Sequence, residues 1–129
     1  MKYMLLMSCT VRDFEALGGW TPAEFKAHIE FMHALNRELT ANGELVAAEG
    51  LDVPMNAKLV RASRAEQPIV SDGPFAETKE FLAGFWIVDV KSPERAIAIA
   101  AKASTAPGPG GRPLQIPIEL RAVGQAPEV

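Results

Sequence analysis

Eight consecutive residues, Phe81-Leu82-Ala83-Gly84-Phe85-Trp86-Ile87-Val88, place large apolar groups on both faces of the strand they form. With side chains alternating along a strand, Phe81, Phe85 and Ile87 point one way and Leu82, Trp86 and Val88 the other. The opening of the chain behaves alike, with Met4 and Leu6 opposite Tyr3, Leu5 and Met7. Helices on one side of such a sheet leave its second face too apolar for a comfortable monomer. The simplest cover is a second copy packed sheet against sheet about a two-fold axis. The other solution is a loop or an arm around Phe75 that covers the face from within the chain.

The remaining elements follow from local signals. Residues 2–8 read as a first strand, and Gly18-Gly19 breaks the chain after it. Thr21-Pro22-Ala23-Glu24 has the order of a helix start: a capping hydroxyl, proline at the first position and a glutamate that completes a capping box. Asn42-Gly43 marks the stop. Between them Phe25, Ile29, Met32, Leu35 and Leu39 form one apolar stripe, with Lys26, Glu30, Arg37 and Glu38 outside it. Such a one-sided helix lies on a sheet.

Leu45–Leu51 and Lys58–Ala62 read as strands joined by a turn around Pro54, and Pro68–Ser71 as a short extended piece before the Asp72-Gly73-Pro74-Phe75 turn. Phe81–Val90 is the clearest strand. Ser92-Pro93-Glu94 opens a second helix that runs through Ala103, and after a Pro/Gly connector at 106–113 a last strand covers Leu114–Val123. The order β-α-β-β-(hairpin arm)-β-α-β predicts an α+β fold, a ferredoxin-like split βαβ with helices on one face of an antiparallel sheet.

At 129 residues the chain reads as a single domain, 1–129. A formal charge of −3 supplies no basic field for a phosphate backbone, which argues against nucleic-acid binding. The lone Cys9 cannot bridge internally, which points to a reducing, cytoplasmic setting. The first apolar run is too short for a signal segment, and no window has the length to cross a bilayer.

The run Asp72-Gly73-Pro74-Phe75-Ala76-Glu77-Thr78-Lys79-Glu80-Phe81-Leu82-Ala83-Gly84-Phe85 resembles the signature of the DGPF family within the YCII-related superfamily. Tyr3-Met4-Leu5-Leu6 resembles the family's opening strand, Gly50-Leu51 the end of its second, and Glu119-Leu120-Arg121-Ala122-Val123 its closing motif, with Ala122 where proline is usual. The resemblance spans nearly the whole chain. It implies a dimeric α-β barrel of ferredoxin-like protomers with a small-molecule cleft, and relatives that partner with sigma factors. It also implies an acid/base pair, a histidine on the first helix and an aspartate near the end of the second. The histidine falls on His28; the aspartate has no counterpart in Ala103-Ser104-Thr105-Ala106-Pro107.

On the helix wheel His28 falls within the apolar stripe, angularly between Leu35 and Leu39, and suits either proton transfer or a bond to a backbone carbonyl at the core's edge. His33 lies about 140° away by helical period, so the two cannot share a metal within one chain. Asp72 serves its turn by accepting backbone N–H bonds, or else assists His28. Glu80 closes the charged run Glu77-Thr78-Lys79-Glu80, which reads as a solvated arm or as the rim of a dimer cleft. Arg121 pairs across the sheet or holds an anion. Pro107–Pro113 lacks the Gly-Lys-Ser/Thr ending of a phosphate loop, and no dinucleotide fingerprint, metal-spaced cluster or nucleophilic triad appears.

These readings converge on a homodimer that binds a small molecule. The leading reading is an enzyme without cofactor or metal, with His28 and Asp72 catalytic and Glu80 and Arg121 binding substrate, and the sequence leaves open whether catalysis occurs. The competing class is a non-catalytic accessory module linked to transcription regulation.

Overall fold

A computed structural model describes residues 1–73 and 80–128. Pro74, Phe75 and the run Glu77-Thr78-Lys79, to which the arm and rim readings attach, lie outside the described residues.

The backbone forms β1 (Lys2–Thr10), α1 (Val11–Ala16), α2 (Pro22–Ala41), β2 (Leu45–Gly50), β3 (Lys58–Arg61), β4 (Ile69–Asp72), β5 (Glu80–Asp89), α3 (Pro93–Ser104) and β6 (Ile118–Ala122). Four strands pair antiparallel in the order β2-β5-β1-β6. With α2 and α3 as crossovers this is the ferredoxin-like α+β arrangement. The third strand departs from expectation: β3 leaves the main sheet and pairs with β4 in a separate hairpin, Lys58 opposite Asp72 and Arg61 opposite Ile69.

Both main helices start where their caps dictate. The Thr21 hydroxyl accepts from Glu24 N–H at 3.1 Å, and Glu24 Oε1 accepts from Thr21 N–H at 2.8 Å, which satisfies two donors the first turn leaves free. Ser92 Oγ accepts from Arg95 N–H in the same way. Gly43, at φ +72°, ends the α2 segment in the left-handed region that glycine tolerates. Short α1 was not foreseen, although Thr10 and Asp13 form a capping box of the same kind.

The core lies between one face of the sheet and the two long helices. Leu5, Trp86 and Val88 from the sheet meet Leu35 and Leu39 of α2 and Ala96, Ile99 and Ala103 of α3. Leu39 and Val88 are fully enclosed, each contributing roughly 1.5–3 kcal/mol relative to an exposed side chain. Arg95 of α3 donates from Nε and Nη2 to the Glu44 carboxylate before β2, at 2.9 and 2.8 Å, a two-pronged tie that holds the Glu44 carboxyl below its usual range. On the opposite sheet face, register sets Met4 beside Ile87 and Arg121, and Leu6 beside Phe85 and Glu119.

The last strand is shorter than its apolar run suggests. Gln115 has φ +57°, and Pro113 and Pro117 offer no N–H to a ladder, so pairing with β1 begins at Ile118. No helix among the described residues is long and apolar enough to cross a membrane.

Candidate functional site

The stripe on α2 does not pack evenly along its length. Leu35 and Leu39 are sealed, whereas Phe25 and Ile29 remain 40% and 46% exposed. Beneath this looser half the sheet supplies little volume: Ala48 and Gly50 on β2, and Ala83 and Gly84 on β5. The result is a cleft of about 420 Å³ between the helix and the sheet, within the size range of small-molecule sites. His28, Met32, His33 and Asn36 form the helix wall, while Met7, Gly84 and Trp86 stand opposite and Glu49 lies at the β2 side.

Two irregularities shape the sheet wall. Register slips where Met7 faces Gly84 but Ser8 faces Leu82, leaving Ala83 as the extra residue of a bulge. Gly84 lets β2 come close: a Cβ there would stand 3.0 Å from the Glu49 carbonyl oxygen and 3.4 Å from the Gly50 Cα. Glycine at that position keeps both the sheet edge and the cleft intact.

His28 is fixed by a distant loop. Its Nδ1 lies 3.0 Å from the Pro107 carbonyl oxygen. A carbonyl can only accept, so Nδ1–H donates, and in the neutral ring Nε2 keeps the lone pair of a base. The Trp20 ring meets the imidazole edge-on at 5.6 Å and packs on Phe25 at 5.3 Å. The same loop is held a second time, because Glu24 Oε2 accepts from Gly110 N–H at 2.6 Å. The bonds from Thr21 and then Gly110 hold the Glu24 carboxyl below the usual carboxylate range. The Pro/Gly connector is thus an ordered support for the histidine, turned by Gly110 and Gly111 at φ +69° and +74°. His28 thus bonds a backbone carbonyl and also lines the cleft.

The other sequence candidates stand elsewhere in the chain. Asp72 ends β4 on the hairpin, exposed and paired with Lys58. Glu80 begins β5, exposed, and Arg121 lies on β6 opposite Met4, on the sheet face away from the helices. None of the three lines the α2 cleft. His33, read as a surface residue, and Asn36 and Glu49, not considered, do line it. Cys9 is half-buried, and burial followed by the nearby Asp13 charge pushes its thiol up, away from the reactive thiolate. Among the described residues no group of His, Cys, Asp or Glu gathers as a metal site would require.

A ferredoxin-like α+β chain with a cleft between its first long helix and its sheet defines the class. The YCII-related domain matches residues 1–109, and the chain belongs to that family. It is also similar to an uncharacterized protein of Rhizobium meliloti (strain 1021), 32% identical over 125 residues that cover 96% of this chain and 99% of the relative.

Proposed function

We propose that the chain is a cytoplasmic homodimer that binds a small molecule in the α2 cleft and moves a proton on it through His28, without a cofactor. The observation that carries this reading is the pairing of His28 Nδ1 with the Pro107 carbonyl, which directs the basic lone pair of the neutral ring to Nε2 in a residue that lines the cleft. General-base catalysis needs a basic nitrogen held in place beside a space for the substrate. The dimer reading is supported by the in-register apolar pairs Met4–Ile87 and Leu6–Phe85 on the sheet face opposite the helices. Arg121 shares that face and in this reading meets the second copy, so any part it or Glu80 and Asp72 plays in binding runs through the assembled dimer.

The test uses the full chain in D2O with a panel of carbonyl-bearing carbon acids. The wild type should carry deuterium into at least one compound that binds the cleft, and His28→Gln should slow that exchange by about 10²–10⁴-fold. Cleft binding without exchange by any compound, or exchange that ignores His28→Gln, would contradict the catalytic reading. A mass of 13.9 kDa by light scattering, that of one chain, would contradict the dimer.

A further inference from the structure

Asn36 has an orientation that its neighbour decides. The Trp86 indole Nε1 lies 2.8 Å from the Asn36 side chain. An indole N–H only donates, so the amide must turn its Oδ1 to it, and Nδ2 with two hydrogens points away from that bond. Asn36 Nδ2 has no protein acceptor among the described residues, and no enclosed side-chain nitrogen or oxygen there lacks a partner, so this donor is open to solvent. Trp86 is only 5% exposed and is packed into the core, which keeps the clamp from turning. Both residues line the cleft. A donor is therefore held ready in a wall otherwise made largely of thioether, aromatic and aliphatic groups.

The surroundings narrow what such a donor would meet. Met7, Met32 and Trp86 offer polarizable and aromatic surface suited to a flat apolar body. Among the described residues no lysine or arginine lines the cleft, so an anionic ligand would find no fixed cation to pair with. Asn36 and His28 are eight residues apart on α2, about 12 Å along the axis, so Asn36 grips the end of a ligand remote from the proton-transfer group. Binding energy from a remote end can hold the reacting end in place.

We propose that Asn36, clamped by Trp86, donates a hydrogen bond to a carbonyl oxygen of an uncharged, elongated ligand with a flat apolar body. This names the ligand class of the cleft and rests on the reading that the cleft binds a small molecule; it does not depend on catalysis by His28.

The experiment titrates the full chain with benzylacetone, hydrocinnamate and phenylpropylamine, which share a flat body and differ in the polar end. Binding is followed by NMR at the Asn36 side-chain amide and the Trp86 indole. Benzylacetone should bind most tightly and shift both signals. Asn36→Asp still accepts from the indole but replaces the donor with a charged acceptor. It should weaken benzylacetone by about two- to tenfold and tighten phenylpropylamine, inverting the preference. A merely structural role for Asn36 would weaken all three alike. An unchanged order of affinities in Asn36→Asp, with benzylacetone still in the cleft, would overturn the inference and leave the cleft reading standing. No cleft shift with any of the three in the wild type would overturn both.

Discussion

The two halves of the contact between α2 and the sheet are built from the same repeating pattern and end up opposite in character. In the C-terminal half, Leu35 and Leu39 sink to 2% and 0% exposure over Leu5, Val88 and Trp86. In the N-terminal half, Phe25 and Ile29 continue the stripe yet stay 40% and 46% exposed, because the floor beneath them includes Gly84, Gly50 and Ala48. The helix does not bend the rule of its own amphipathicity; the sheet declines to fill the space. Close packing makes the sealed half a stability element, while the missing volume in the other half makes a site.

That comparison is easiest to break with paired truncations. Leu39→Ala should cost about 2–5 kcal/mol by urea unfolding, and Ile29→Ala, three apolar positions earlier in the same stripe, less than about 1 kcal/mol. Similar costs at the two sites would mean that the halves pack alike. Gly84→Ala comes next, at roughly 1–3 kcal/mol, since its Cβ would press the Glu49 carbonyl at 3.0 Å and backbone rather than a pliable side chain must yield. The same variant should shrink the cleft and reduce binding there, whereas a stability and affinity equal to wild type would show that the β2 edge adapts freely. His28→Gln removes the bond to Pro107 and should cost about 0.5–1.5 kcal/mol in denaturant midpoints, with protection of the 107–111 amides from hydrogen exchange falling.

The smallest effect concerns Glu24. Its folded carboxyl is held below the usual range by Thr21 N–H first and Gly110 N–H second. A lowered folded value means that its stabilisation is present above the unfolded value and fades as pH falls through the folded one. Wild type should therefore exceed Glu24→Gln in stability at neutral pH, and the gap should close on the acid side of the ordinary carboxylate range. A gap that stays constant with pH would mean the carboxylate charge contributes nothing to fastening the loop.

What could be read from the sequence was local. Thr21, Pro22 and Glu24 mark the start of α2, Asn42-Gly43 its end, and the alternation assigns Trp86 and Val88 to the helix side, while the bulge at Ala83 breaks the same alternation for Phe81 and Leu82. The YCII-related resemblance is shown by the match over residues 1–109. The site itself is assembled by contacts between distant parts of the chain. His28 and Pro107 are 79 residues apart and Glu24 and Gly110 are 86 apart, so no window of sequence shows that the Pro/Gly connector supports the histidine. Nothing local in the sequence singles out Asn36, whose amide is turned by Trp86, 50 residues on. The hairpin of β3 and β4 also escaped prediction, because strand propensity at Lys58–Arg61 says nothing about which partner it pairs with.

The most direct test of the account is the tautomer of His28, read from long-range nitrogen–proton correlations of the full chain at a pH where the ring is neutral. The account predicts the proton on Nδ1, donated to Pro107, with Nε2 unprotonated and its signal moving when a cleft ligand binds. A proton on Nε2 would contradict it, since the bond to Pro107 would then be absent and the base would have no lone pair to offer the cleft.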